Sequence, residues 1–296
     1  MNLHGYLKER QGLIDRTLNR YLGKCPQHAE KLFKAMQYSV FSGWKRIRPI
    51  LTLAVGELFG AKHKTLLPFA CALELIHTYS LIHDDLPALD NDDLRRGKPT
   101  SHKLFGEGIA LLAGDALLTE AFDLIARLKA VRAFKSEVVL NLIHELARAA
   151  GMDGMVGGQS IDLEAEDRVV NLATVEYIHL RKTGALILVA ARLGAIIGKA
   201  TPKDLGKVSR YGESLGLAFQ ITDDILDVDG ETSEGSKAET RAAKGSRATY
   251  PSIVGLSAAR ARAEELSERC LREMKTFGKE AEPLREIARY VVERAS

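Results

Sequence analysis

A chain of 296 residues, 46% of them hydrophobic, is long enough to bury a large core. Its net charge of +3 is carried by dispersed basic residues, with no arginine-rich arm or zinc-finger spacing, which argues against nucleic acid as a partner. The first residues, MNLHGYLKERQGLIDRTLNRYL, contain no signal-peptide core. The most apolar run, Gly184 to Gly198, is interrupted by Arg192 and falls short of the ~18 residues of a membrane span. Cys25, Cys71 and Cys270 are odd in number and far apart, as expected of reduced thiols in a cytoplasmic protein.

No Ser/Gly/Pro-rich linker divides the chain, so a single domain over 1–296 is expected. Strand-like alternation is missing and apolar residues recur at helical spacing, as in Leu66, Phe69, Ala70, Leu73, Ile76 and Tyr79. The pattern predicts an all-α fold of about ten helices, roughly at 3–22, 28–42, 49–59, 65–84, 108–128, 135–150, 171–198, 202–228, 255–276 and 281–294. Thr201-Pro202-Lys203-Asp204 reads as a helix cap with proline at the first helical position.

Along the chain, the first chemistry-bearing segment is the cationic turn Gly43-Trp44-Lys45-Arg46-Ile47-Arg48-Pro49. The next, His83-Asp84-Asp85-Leu86-Pro87-Ala88-Leu89-Asp90-Asn91-Asp92-Asp93, closes an apolar helix. Six residues on a regular helix would separate Asp84 from Asp90 by about 240°. Pro87, however, ends or bends the helix, so Asp90 can fold back beside Asp84. Arg95 and Arg96 follow directly, as guanidinium groups suited to bidentate grip on phosphate.

Lys182 and Thr183 interrupt a later apolar stretch. Gln220-Ile221-Thr222-Asp223-Asp224-Ile225-Leu226-Asp227 then closes a second core helix, with Asp223 and Asp227 about 40° apart on one face. Lys237 lies ten residues beyond. Carboxylates this close repel unless a cation sits among them. All-oxygen ligands suit Mg²⁺ or Mn²⁺, which fill their remaining positions with water and phosphate. Asp227-Val228-Asp229-Gly230 does not fit a calcium loop, because the register would put Ile225 first and Ser236 twelfth. Acid clusters and cations together point to two diphosphate sites, one bridged by metal and one held by basic side chains.

These segments resemble the trans-type short-chain prenyl diphosphate synthases, most closely the bacterial farnesyl diphosphate synthases. The likeness rests on DDLPALD with DDLRRGKPT, on FQITDDILD, and on Gly157-Gly158-Gln159 with Asp162, and it covers nearly the whole chain. It implies a helical bundle around a deep cavity, acting as a homodimer. It further implies that an allylic diphosphate binds through three Mg²⁺ ions to Asp84, Asp85, Asp90, Asp223 and Asp227, aided by Arg95, Lys182 and Lys237. Isopentenyl diphosphate would sit on Lys45, Arg48, His77 and Arg96, while Thr183 and Gln220 would face the developing carbocation. An aromatic at the position of Tyr79, together with two extra residues in the first motif, goes with farnesyl products, although helical angle alone favours Ser80 as the residue beneath Asp84. Two departures stand out: Trp44 replaces the second glycine of Gly-Gly-Lys-Arg, and Arg247 replaces the lysine of Gly-Lys-x-Thr-Tyr while keeping its charge.

Three rival readings remain at this point. Glu74-x-x-His77 and Glu176-x-x-His179 are the spacing of a di-iron bundle. The same fold also serves as a non-catalytic partner subunit of a prenyl synthase. A class I terpene cyclase shares the metal chemistry but needs neither the second aspartate-rich motif nor an isopentenyl site.

Overall fold

Proline placement, caps and apolar periodicity all act locally, and each leaves its mark on the helices that form. The computed structural model describes residues 1–294 except Pro26, Trp44, 128–130, 132–133, Asp167 and 234–247; the side chains of 229–233 also lie outside the description. The described residues divide into two compact units.

The first unit comprises His4–Leu53 and Ala61–Ile143. It contains α1 (Leu3–Leu22), α2 (Glu30–Val40), the start of α3 (Ile47–Leu58), α4 (His63–Asp84), α5 (Ser101–Phe105), α6 (Glu107–Arg127) and the start of α7 (Ser136–Ala150). Its core is apolar: Ile14, Leu18, Phe69, Leu73, Ile76 and Leu117 are fully enclosed. The helices α4 and α6 pack along each other. Gly114 permits this, since a Cβ there would lie 2.1 Å from His83 Nε2. By length and composition α4 could cross a membrane, but 78% of its most apolar window is buried inside the protein, as in a core helix.

Between α4 and α5 the backbone makes a small hairpin, β1 (Leu94–Arg95) against β2 (Lys98–Pro99). The sequence pattern does not predict it. Arg96 and Gly97 both adopt left-handed backbone, φ 55° and 75°, which suits a two-residue turn between twisted strands.

The second unit comprises Met1–Leu3, Ala54–Gly60 and His144–Ser296. It holds α8 (Met155–Ala165), α9 (Leu172–Ile178), a π-helical turn (His179–Gly184), α10 (Ala185–Ile197), α11 (Pro202–Ser233), α12 (Tyr250–Val254), α13 (Leu256–Met274) and α14 (Glu282–Glu293). The long α11 is the spine on which α10, α13, α14 and the π turn pack. Thr201 caps it as expected, its hydroxyl oxygen accepting from the Asp204 N–H at 3.2 Å. Tyr211, fully buried on α11, donates its hydroxyl to the Leu284 carbonyl at 2.8 Å. The apolar run from Gly184 is a core helix: Leu186, Ile187, Val189, Ala190 and Leu193 are all buried.

Two expectations need correction. Residues 171–198 do not form one α-helix, because the π turn interrupts them. Helix α8 is absent from the predicted set, because Gly154, Gly157 and Gly158 look like helix breakers in isolation.

Candidate active site

In the first unit, α4 ends at Asp84, and Pro87 follows in a turn. The chain then doubles back: the Asp90 N–H donates to the Asp84 carbonyl at 2.8 Å, and Asn91, with φ 49°, donates to Leu86 O at 3.1 Å. Asparagine tolerates that left-handed backbone better than most residues. The fold-back inferred from Pro87 is therefore present, with Asp84 and Asp90 both half-buried. Asp85 takes another course. It is buried, and its Oδ1 accepts from Arg95 Nε at 2.7 Å, with Arg95 Nη2 also at 2.7 Å. Burial pushes the Asp85 carboxyl up, against the pull of Arg95. Asp85 thus holds the hairpin arginine in place.

The cationic turn sorts into distinct roles. Arg46, at φ 54°, is buried and donates to Asp15 at 2.8 Å, to Glu74 at 2.8 Å and to the Val40 carbonyl at 2.5 Å. Those three bonds hold its unusual backbone and make it structural. Lys45 is exposed. Arg48 Nη1 lies 3.1 Å from His77 Nε2, and Arg96 Nη1 donates to the Gly43 carbonyl at 3.1 Å. Burial first, then the charges of Arg48, Arg96, Arg95 and Arg46, hold the His77 imidazole well below the usual histidine range. His77 is accordingly neutral and accepts from Arg48. Tyr79 is buried two residues on, its hydroxyl pushed up to about 12 by burial and by the Asp84 charge.

In the second unit, Lys182 and Thr183 project from the π turn. Lys182 Nζ donates to Asp162 Oδ2 at 2.8 Å, and Thr183 Oγ1 donates to Gln220 Oε1 at 2.8 Å. The turn is pressed closely on both sides: a Cβ on Gly158 would lie 2.3 Å from Lys182 N, and one on Gly216 would lie 2.8 Å from Gly184 Cα. On α11, Asp223 is half-buried and Asp227 exposed. Arg294 at the end of α14 donates to Asp223 Oδ1 at 3.2 Å and sits 5.5 Å over the Phe219 ring. Trp44, Lys237 and Arg247 lie outside the described residues.

Among the described residues, no group of three His, Cys, Asp or Glu side chains is gathered to hold a metal by itself. The donor set still suits Mg²⁺, which takes one or two carboxylate oxygens and completes its shell with water and phosphate. Sequence reasoning gave Asp224 and Arg294 no separate role and considered His179 only as half of a di-iron pair. The spacing Gln220-x-x-x-Asp224 was a usable signal, since i and i+4 share a helix face. Arg294, 71 residues from its partner, left none.

The model for polyprenyl synthetase matches residues 29–289. The chain belongs to the polyprenyl synthetase family. It is 46% identical to a farnesyl diphosphate synthase of Geobacillus stearothermophilus over 260 residues, covering 88% of this chain and 87% of that protein. It is 43% identical to a geranylgeranyl diphosphate synthase of Cyanophora paradoxa over 294 residues, covering 99% and 97%. The crystal structure of an FPP/GFPP synthase from Zymomonas mobilis superposes with a TM-score of 0.88 at 40% identity, covering 98% of this chain and 99% of that one.

The protein is therefore a prenyltransferase with the all-α isoprenoid synthase fold of its family. The di-iron reading fails on this and on the partners of its own residues. Glu74 accepts from Arg46, His77 faces Arg48, Glu176 accepts from the Tyr250 hydroxyl at 3.2 Å, and His179 meets Asp224.

Proposed function

We propose that the chain, acting as one polyprenyl synthase domain, condenses isopentenyl diphosphate with dimethylallyl and then geranyl diphosphate to give mainly (2E,6E)-farnesyl diphosphate. The observation that carries this reading is the fold-back of the first aspartate segment onto Asp84, followed at once by a hairpin whose Arg95 is fixed by Asp85. In this reading Asp84, Asp85, Asp90, Asp223 and Asp227 serve the allylic diphosphate through Mg²⁺, three ions per site, with Asp85 acting through Arg95. Bound there, Mg²⁺ supplies Lewis-acid stabilisation of the departing diphosphate.

The chain's own groups do the rest. Arg95, Lys182 and Lys237 neutralise the leaving diphosphate, so the allylic C–O bond breaks to a delocalised cation. Lys45, Arg48 and Arg96 hold isopentenyl diphosphate, with neutral His77 orienting Arg48, and Arg247 adds positive charge. Thr183 and Gln220 face the cation, which the isopentenyl double bond attacks. The released diphosphate takes the proton that is lost, and an apolar cavity excludes water.

The exposed Leu104, Leu111 and Leu112 of α5 and α6 support assembly as a homodimer. Three free cysteines, two of them buried, fit a cytoplasmic setting.

The test is to incubate the protein with Mg²⁺, isopentenyl diphosphate and each allylic starter, then to size the products. Asp84→Ala and Asp223→Ala should each lower turnover by roughly two orders of magnitude or more with the fold kept, as expected when charge stabilisation is lost. EDTA should abolish activity and Mg²⁺ restore it. Near-normal turnover in both variants would remove the two-cluster reading. A C20 product from the unmodified chain would remove farnesyl as the end point.

A further inference from the structure

Asp224 belongs to the second aspartate segment but faces away from its neighbours' task. Each helical residue turns by 100°, so it stands more than a quarter-turn round from Asp223. It is 6% exposed, whereas Asp223 is half-buried and Asp227 exposed. Its oxygens are used inside the protein. Oδ1 accepts from Gln220 Nε2 at 3.2 Å, and Oδ2 accepts from the Tyr250 backbone N–H at 2.8 Å. His179 Nε2 lies 3.2 Å from the same Oδ2, its ring stacked on Tyr250 at 6.4 Å. Among the described residues the buried His179 Nδ1 has no hydrogen-bond partner, which suits the tautomer whose proton is on Nε2, facing Asp224.

The polarity of this chain of bonds follows from chemistry. An ionised carboxylate only accepts, so Gln220 must turn its NH₂ toward Asp224 and its carbonyl toward Thr183. Thr183 has one hydroxyl proton, and it is directed to Gln220 Oε1 at 2.8 Å. Its oxygen lone pairs are thereby left for other neighbours. We infer that Asp224 is a positioning residue: through Gln220 it fixes the Thr183 hydroxyl so that its lone pairs, not its proton, meet the developing allylic charge. The inference rests on the proposed reading that Thr183 faces that charge. A dipole held in advance stabilises charge without the cost of reorienting as the C–O bond breaks. With Asp224 absent, the amide is free to flip and the hydroxyl to present its proton instead.

A double-mutant cycle on turnover tests this. Asp224→Asn keeps one acceptor for the Tyr250 N–H but turns an NH₂ toward Gln220, so turnover falls on the order of tenfold to a hundredfold. The KM values for both diphosphates stay within a few-fold, since neither substrate is held by Asp224. Gln220→Glu alone sets two carboxylates against each other and also lowers turnover. In the double variant, D224N with Q220E, the amide NH₂ at position 224 donates to the carboxylate at position 220. That carboxylate accepts from Thr183, and the amide oxygen at position 224 still accepts from the Tyr250 N–H. Turnover should then recover at least tenfold over D224N, a rescue that a purely structural role for Asp224 does not give.

If D224N does not fold, Gln220→Met replaces it, removing the amide while leaving Asp224 on Tyr250, and it should show the same loss. Thr183→Ala separates the two layers. If it leaves turnover unchanged, the reading of Thr183 fails and takes the inference with it. If it lowers turnover while D224N does not, or while the double variant shows no recovery, the inference alone is overturned.

Discussion

Tyr79 lies five residues before Asp84 on α4, about 7.5 Å along the helix. It is buried, and its edge meets the His83 ring at 5.6 Å. With its hydroxyl pushed up to about 12, it stays neutral at any working pH, a wall rather than a charge. Ser80, the candidate favoured by helical angle, turns its hydroxyl back to the His77 carbonyl at 2.8 Å and has little bulk. If, as proposed, the chain makes mainly farnesyl diphosphate and Tyr79 limits its growth, Tyr79→Ala should shift the product mixture toward geranylgeranyl diphosphate with turnover largely kept, as read by chromatography of the dephosphorylated products. An unchanged C15 product would mean that Tyr79 does not limit chain growth. Relatives named for both products share more than 40% identity with this chain, so overall similarity does not fix product length. The sequence was informative at this scale where geometry is local. Pro87 announced the return of Asp90, and four-residue spacing put Asp223 and Asp227 on one face. It was silent where a partner decides: Lys45, Arg46 and Arg48 look alike in the chain, yet Arg46 alone is buried between Asp15 and Glu74.

Among elements, the π turn was the least legible, because one wider turn hardly disturbs an apolar period over 171–198. Its neighbours press on it from two sides. Gly158 on α8 and Gly216 on α11 bring two backbones against it, and Gly158 reads as a breaker only until the packing is known. Gly216→Ala would place a Cβ 2.8 Å from Gly184 Cα, where only backbone can yield. The expected result is a stability loss of about 1–3 kcal/mol from overpacking, with turnover down more than tenfold as Lys182 and Thr183 shift. Gly206→Ala, also on α11, meets among the described residues only the flexible Arg210 side chain at 3.6 Å, and should be neutral or stabilising by about 0.5–1 kcal/mol. Denaturant unfolding and steady-state rates of the two variants check the contrast. Equal behaviour would mean that the close contact does not hold the turn.

For the molecule as a whole, the helical class and both acidic segments could be read from the chain, but how firmly the free protein holds metal could not. The described residues gather no three ligands at one point, and an Asp223 oxygen already accepts from Arg294 at 3.2 Å. In the proposed reading Mg²⁺ alone would lack ligands to complete its shell, while a diphosphate alone would bring negative charge toward aspartates. Together each would supply what the other lacks: phosphate oxygens would complete the metal's shell, and the metal would cancel the repulsion. Stabilisation by a ligand grows as RT ln(1 + [L]/Kd), about 2.7 kcal/mol at a hundredfold excess. For a chain of this size each kcal/mol moves the midpoint by about 2–4 °C. Inorganic diphosphate with Mg²⁺ should accordingly raise the melting temperature by roughly 5–10 °C, and either one alone by no more than a small fraction of that. Thermal unfolding in the four buffers decides it. The full rise with Mg²⁺ alone would mean a preformed metal site, and the substrate would no longer be needed to complete it.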